Sequence, residues 1–151
     1  MRRIAIAACL LAFAVSPALA QTPDLIAKKS PHDFASTVTQ LEAAITKRGA
    51  AIAAKVDHAA AAKANGLELK PATVVIFGNP KLGTPLMQSS PTAGLDLPMR
   101  VLVWEDATGA VMVGYWAPTK LAEAHGIKDR DQIVKTMASA LDAITNEAVA
   151  R

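Results

Sequence analysis

The chain has 151 residues, of which 52% are hydrophobic, 19% charged and 4% aromatic, and it contains one cysteine. This length has room for one domain with a single core, and the composition excludes a disordered, highly charged tail protein. The formal net charge of +3 could suit a nucleic-acid binder, but the first twenty residues supply most of the basic excess.

Residues 1–20 are typical of a secretory signal peptide. Two arginines form the basic start, an uninterrupted apolar run covers residues 4–15, and Ala18 to Ala20 match a cleavage site. The apolar run is too short to span a bilayer as a stable helix, so cleavage would leave no stable membrane anchor. We therefore expect export to the periplasm or the medium, with a mature chain that begins at Gln21.

Export would change the composition of the working protein. Cleavage after Ala20 removes two of the 16 basic residues, which lowers the net charge from +3 to +1, and it also removes Cys9, the single cysteine. A nearly neutral chain gives no electrostatic reason to bind nucleic acid, so we expect no nucleic-acid partner. Without cysteine it can form no disulfide and no thiolate metal site. The mature chain divides into a lead, residues 21–24, and one domain, residues 25–150.

Hydrophobic periodicity and turn residues predict the elements of this domain. In the first long helix the apolar residues Phe34, Val38 and Leu41 recur at helical spacing, and Ser30 and Asp33 are predicted to form its capping box. The predicted elements in chain order are a strand at 25–29, a helix ending before Gly49, a strand at 50–56, a short helix at 57–65, a strand at 73–77, a short helix or turn at 81–89, a loop at 91–97, a hairpin at 99–116, a loop or short helical turn at 118–125 and a long final helix ending near 148.

Local patterns predict the fold class as well. The hairpin has a turn at 106–109, and alternation places Val111, Val113 and Tyr115 on one face of its second strand. Asp129 and Gln132 are predicted to cap the final helix. Two long amphipathic helices and a mostly antiparallel sheet predict an α+β domain of two layers, in which both helices cover one face of the sheet.

Asp57 and His58 are the first candidates for catalysis, because they lie where a strand meets a helix. Histidine can act as a general acid or base near neutral pH, and a carboxylate can orient or charge it. Tyr115 could donate a proton or stabilise an oxyanion if it reached the same cleft. A plainer interpretation is that Asp57 only caps the helix, His58 is an ordinary first-turn residue and Tyr115 packs in the core.

The segment after the third strand is the candidate binding site. Gly78, Asn79, Gly83 and Thr84 form a turn that could direct backbone amides at an anion, with Lys81 adding positive charge. The segment lacks the lysine that a nucleotide-binding P-loop places before its threonine. The plainer interpretation is a tight connection in which glycine and proline serve the geometry.

No sequence motif predicts a metal or a cofactor. His32, His58 and His125 lack the spacing of zinc ligands. The dinucleotide fingerprint, the G-x-S-x-G nucleophile elbow and the H-E-x-x-H zinc motif are all absent from the sequence. We therefore expect a domain that works without a cofactor or a metal.

Several segments resemble the domain of unknown function 302 family. The resemblance rests on the string F-G-N-P-K-L-G-T-P-L-M at residues 77–87, with V-D-H-A-A at residues 56–60, and it extends in order over residues 25–150. It implies a TATA-binding-protein-like α+β fold and a homodimer, and it implies no established activity. The family pattern also marks candidate pocket residues, which are Asp57, His58, Asn79, Gly83, Thr84 and Tyr115.

Three functions of different classes follow from these patterns. The leading one is an exported domain that binds or senses a small ligand, which could be an anion, at Gly78 to Thr84. The first alternative is a homodimeric structural or interaction module. The second alternative is an enzyme that needs no cofactor and uses His58 as its general acid or base, with Asp57 as charge partner and Tyr115 as proton donor.

Overall fold

The computed structural model describes residues 24–151, so the predicted signal peptide and its cleavage site lie outside the described residues. The domain boundary at residue 20 therefore stays a prediction. The strands are β1 (Leu25–Lys29), β2 (Ala51–Asp57), β3 (Ala72–Gly78), β4 (Met99–Glu105) and β5 (Val111–Trp116). The helices are α1 (Phe34–Lys47), α2 (His58–Ala64), α3 (Pro80–Ser89), α4 (Pro118–Ala124) and α5 (Asp131–Ala148), with a 3-10 helix at Pro91–Leu95.

The five strands form one sheet in the order β1-β5-β4-β3-β2, and every neighbouring pair is antiparallel. The predicted hairpin forms its centre, with Val103 opposite Val113. The first strand of the domain crosses to pair with β5, so β1 and β2 are the two edges of the sheet. The predicted α+β fold class is confirmed.

Helices α1 and α5 pack against each other and cover one face of this sheet. Leu41 and Leu141 from the two helices belong to the same buried cluster as Val75, Val101 and Val113 from the strands. Alternation along each strand directs these residues to one face, where burial stabilises the fold by about 25 cal/mol for each Å² of apolar surface. The predicted two-layer arrangement of two long helices on one sheet face is confirmed.

A second, smaller core lies beyond one end of the sheet. Leu86 of α3, Ala93 of the 3-10 helix, Leu121 of α4 and Met137 of α5 are buried together there. This cluster fixes α3 and α4 relative to α5. The chain between α3 and β4, predicted as a loop, therefore contains the 3-10 helix, and the turn predicted at 118–125 is the helix α4.

Two predicted helix caps are wrong. Asp33 itself caps α1, because its carboxylate accepts a hydrogen bond from the Ser36 amide at 2.9 Å. Ser30 is buried, and its hydroxyl bonds to the Thr37 hydroxyl and accepts from the His32 amide, which precedes the helix. At α5 the predicted cap, Asp129, turns away to accept from the Ser89 hydroxyl, so the helix begins at 131 without a side-chain cap. Local spacing alone could not show these competing partners.

The other face of the sheet is not fully covered. Along β4 and β5 it carries Trp104, Met112 and Trp116, of which Trp116 is 57% exposed. Gly114 lies among them beneath the Trp104 ring. A Cβ on Gly114 would stand 3.0 Å from two atoms of that ring and 3.0 Å from the Ile26 carbonyl oxygen. The glycine therefore allows both the aromatic ring and β1 to approach β5 closely.

Replacing Gly114 with alanine tests this close approach. The new methyl group must displace the Trp104 ring and a β1 carbonyl, so we expect Gly114→Ala to lower the unfolding free energy by about 1–3 kcal/mol. Gly94→Ala is the matched control, because its Cβ would meet only the flexible Met87 sulfur at 3.5 Å. Urea unfolding followed by tryptophan fluorescence measures both variants. Equal stability of the two would contradict the packing argument.

Candidate functional site

A cavity of about 530 Å³ lies where the helix-covered face of the sheet meets α3 and α5. The beginning of β2 and the end of β3 form one side of it, and the segment Leu97–Met99 and α3 form another. Met137, Leu141 and Ile144 of α5 close a third side. This volume lies within the range of small-molecule sites in proteins.

The lining of this cavity is almost entirely apolar. Only Arg48, Asn79 and Thr84 among the lining residues carry polar side chains, and the lining includes no aspartate or glutamate. Phe77 and Leu141 are buried at its inner side. Because polar groups are few and separated, the cavity suits a ligand that is mostly apolar and carries a small number of hydrogen-bonding atoms.

Glycine lets the chain close the cavity at the end of β3. A Cβ on Gly78 would stand 3.2 Å from the Pro98 Cβ atom, and one on Gly83 would stand 3.6 Å from Leu97. A larger residue at Gly78 would push the Leu97–Pro98 segment away from the sheet. The plainer sequence interpretation, in which these glycines serve the geometry of a tight connection, therefore describes part of their role.

The structure places four of the five predicted ligand-binding residues in the cavity lining. Gly78, Asn79, Gly83 and Thr84 line it, whereas Lys81 is exposed and lies outside the lining. The predicted supply of positive charge at Lys81 therefore does not reach the cavity. The binding role of the other four stays a prediction.

The backbone amides expected to hold an anion are already occupied. The Asn79 side chain accepts from the Lys81 amide at 2.9 Å, and the Asn79 carbonyl accepts from Leu82 and Gly83 at 2.9 and 3.0 Å. Pro80, at the first helical position, has no amide hydrogen to offer. Asn79 thus caps α3 and satisfies its first turn, which leaves no free amides there to bind an anion.

The structure does not bring Tyr115 to Asp57 and His58. Asp57 ends β2 and caps α2 by accepting from the Ala60 amide at 2.9 Å, and His58 is exposed beside it. Tyr115 lies on β5, which β4 and β3 separate from β2, a distance of about 14 Å at ordinary strand spacing. The proposed catalytic set of three residues therefore has no common cleft.

Tyr115 belongs to a polar contact between the sheet and α5 instead. Its side chain is buried, and burial raises the pKa of its hydroxyl, with a further rise from the Asp142 carboxylate and an opposing effect of hydrogen bonding to Thr145. Lys28 of β1 donates to Asp142 at 2.7 Å and to Thr145 at 2.8 Å. The same contact lowers the pKa of Asp142. These bonds fasten edge strand β1 to α5.

A second polar cluster, which local sequence patterns do not predict, lies at the end of α4. His125 follows α4 with its side chain 9% exposed, and its ring nitrogens contact Asp96 at 2.8 Å and Thr92 at 3.0 Å. Because residues 91–97 were predicted to be a loop, no local pattern placed them beside His125. The cluster ties the 3-10 helix to the end of α4 and lies outside the cavity lining. Residues 24–151 contain no group of three or more side chains suited to a metal ion.

Comparison with known proteins identifies the family. The family model described as "Domain of unknown function DUF302" matches residues 26–144, so the chain belongs to the DUF302 family. The crystal structure of an uncharacterized conserved DUF302 protein from Bacillus stearothermophilus is similar, with a TM-score of 0.77 and 16% identity. That likeness covers 83% of this chain and 98% of the other, and it supports the fold.

Two relatives that are similar in sequence are named as ion channels. The chain is 39% identical over 125 residues to "Fluoride-specific ion channel FluC 1" of Brucella suis and, at the same identity, to that of Brucella abortus. These matches cover 82% of this chain and 49% and 46% of the two relatives, so the chain spans about half their length. Within the described residues, no helix combines the length and apolar character that crossing a membrane requires.

Replacing Tyr115 with phenylalanine tests its structural role. A raised pKa means that the folded protein keeps the tyrosine proton while the unfolded chain loses it near pH 10. Stability from this group is complete below pH 10 and is lost as pH rises further. We expect the unfolding free energy of Tyr115→Phe to fall less than that of the original chain between about pH 9 and 11.

Denaturant unfolding at both pH values measures this difference. Tyr115 is the only tyrosine, so tyrosinate absorbance follows its titration directly in the original chain. Parallel loss of stability in the two proteins, or titration of the folded protein at the ordinary pKa, would show that burial does not protect the hydroxyl.

Proposed function

We propose that this DUF302 domain binds a small, mostly apolar molecule in the cavity between the sheet, α3 and α5. The observation that carries the proposal is the lining itself, about 530 Å³ of space bounded mainly by Phe, Leu, Met, Ile, Ala and Pro. Export, which the sequence predicts, would let the domain bind such a molecule in the periplasm or the medium. The domain thus serves as a binding or sensing module.

Energetics favour an apolar ligand over a small inorganic anion. Apolar ligand surface that leaves water gains about 25 cal/mol for each Å² buried. A bare anion would lose its hydration shell against apolar side chains, with Arg48 as the one cationic group in the lining. The first turn of α3 offers it no free amides, because Asn79 accepts from them.

The same energetic argument decides whether the activity named for the fluoride channels of Brucella can be assigned to this domain. Fluoride is a small, strongly hydrated anion, and conducting it is the activity named for proteins about twice as long as the matched segment. The described part of this chain has no helix suited to cross a membrane. We therefore transfer neither fluoride binding nor conduction to this domain, and we interpret the shared segment as a separate ligand-binding module.

Filling the cavity tests the proposed function. Ala140 lines it from α5, so the larger side chain of Ala140→Phe occupies ligand space. We expect this variant to bind the neutral fluorescent probe N-phenyl-1-naphthylamine at least about tenfold more weakly, a loss of about 1.4 kcal/mol. Ser139→Phe, one residue away on an exposed position of α5, is the matched control and should bind as the original chain does.

Fluorescence titration of the three proteins measures the affinities. The proposal fails if the original chain does not bind the probe, or if both phenylalanine variants weaken binding equally. Thermal unfolding of each variant in the absence of the probe separates a loss of ligand space from a loss of folded protein.

A second candidate function is self-association through β2 and α2. No residue of either element is buried. The exposed residues include large apolar side chains: Val56 is 39% exposed, and Leu67 and Leu69 beyond α2 are 66% and 53% exposed. The strand is also an edge of the sheet, with one side of its backbone unpaired within residues 24–151. A second copy pairing along this edge would cover the exposed apolar residues, as the homodimer hypothesis requires.

A charge placed on this surface tests self-association. We expect Val56→Lys to shift the original chain from dimer towards monomer, because two like charges and their hydration would oppose burial at a symmetric contact. Light scattering after size-exclusion chromatography at several concentrations measures the mass. Gln88→Lys adds the same charge at an exposed position of α3 and should leave the mass unchanged. A monomeric original chain at every concentration contradicts this second candidate.

A further inference from the structure

We propose that the ligand is an amphipathic anion, with an apolar body inside the cavity and a carboxylate or similar oxyanion head group bound by Arg48. The inference rests on the proposed function and adds the chemical class of the ligand. The sequence pattern predicts Lys81, and not Arg48, as the source of positive charge.

Arg48 lies at the rim of the cavity. Helix α1 ends at Lys47, and Arg48 is the residue that terminates it, with its amide donating to the Ile45 carbonyl at 3.2 Å. The residue belongs to the cavity lining, and its side chain is 42% exposed. Partial exposure beside an apolar cavity is the position in which a guanidinium can meet a head group while the rest of the ligand is buried.

The guanidinium of Arg48 has N–H donors that its contact with Glu147 does not use. Its one side-chain partner among the described residues is Glu147, with 3.4 Å between Nη2 and Oε2. Glu147 is bound more closely by Lys47, which is the main cause of its lowered pKa. Two cations thus face one carboxylate, and the rim keeps one positive charge in excess. Arginine carries five N–H donors, enough to bind a second carboxylate in a bidentate manner.

The other polar groups of the lining are also suited to oxygen acceptors. Asn79 uses its Oδ1 atom to cap α3, which leaves its side-chain NH₂ group to donate. The Thr84 hydroxyl, on an exposed residue of the lining, can donate as well. The lining itself contains no carboxylate, and the one carboxylate paired with Arg48, that of Glu147, is also paired with Lys47.

The apolar lining of the cavity is suited to a flexible apolar body. Met87, Met99 and Met137 belong to this lining together with Leu82 and Ile144. Methionine side chains are unbranched and adjust to ligands of different shape. An alkyl or aryl chain attached to a carboxylate therefore fits both parts of the site, as in medium-chain fatty acids.

Binding of dodecanoate and dodecanol separates the head group from the apolar body. Both compete with N-phenyl-1-naphthylamine in the fluorescence titration. We expect the original chain to bind dodecanoate at least about tenfold more tightly than dodecanol, a difference of about 1.4 kcal/mol. Arg48→Ala should remove this preference while leaving dodecanol binding within about twofold, and Arg48→Lys should keep part of it.

Lys81→Ala is the matched control, since it removes the exposed cation that lies outside the lining. It should retain the full preference for dodecanoate. Added salt should reduce the preference in the original chain, because the rim is partly exposed and ions screen it. Arg48→Gln, which keeps a polar but uncharged side chain, guards against an effect of Arg48→Ala on folding.

The outcomes distinguish the two proposals. If the neutral probe and dodecanol bind but dodecanoate shows no preference, the cavity binds apolar ligands and the head-group inference is wrong. The inference is also wrong if Lys81→Ala, rather than Arg48→Ala, removes the preference. If the original chain does not bind the neutral probe, the proposed function itself fails.

Discussion

The packing of α1 and α5 against one face of the antiparallel sheet is the contact on which the other features depend. Leu41 and Leu141 meet Val101 and Val113 in a buried cluster, and this burial supplies most of the driving force to hold two layers together. Helix α3 joins α5 through a second core, and residues of both cores, Phe77 and Met137 among them, line the cavity. The cavity is the space left between these two cores.

Asn79 determines what this cavity can bind. By capping α3 it satisfies the backbone amides of the first turn, so a segment with the composition of an anion-binding turn has no free backbone amides there for an anion. The one cation among the lining residues is Arg48 at the end of α1. The chemistry of the site is therefore that of an apolar chamber with one cationic rim, which accounts for both the proposed ligand class and its orientation.

Short-range patterns predicted much of the fold and part of the site. The hairpin, the β-branched strand β3 and the apolar stripe of α1 depend on residues close together in the chain, and the glycine-rich segment was correctly placed after a buried strand. The cap at Asp57 also follows from local sequence. Arg48 and His125 could not be identified in this way, because their partners, Glu147 for one and Asp96 for the other, come from distant elements.

The sequence by itself determined the α+β class and the family, and it predicted the glycine-rich segment of which Gly78, Asn79, Gly83 and Thr84 line the cavity, since periodicity and a long specific string are local properties. Only the tertiary structure decided that Tyr115 is separated from His58 by two strands and that Lys81 lies outside the cavity lining. Strand order and helix packing are set by contacts between residues far apart in the chain, and these contacts decide which side chains share a site.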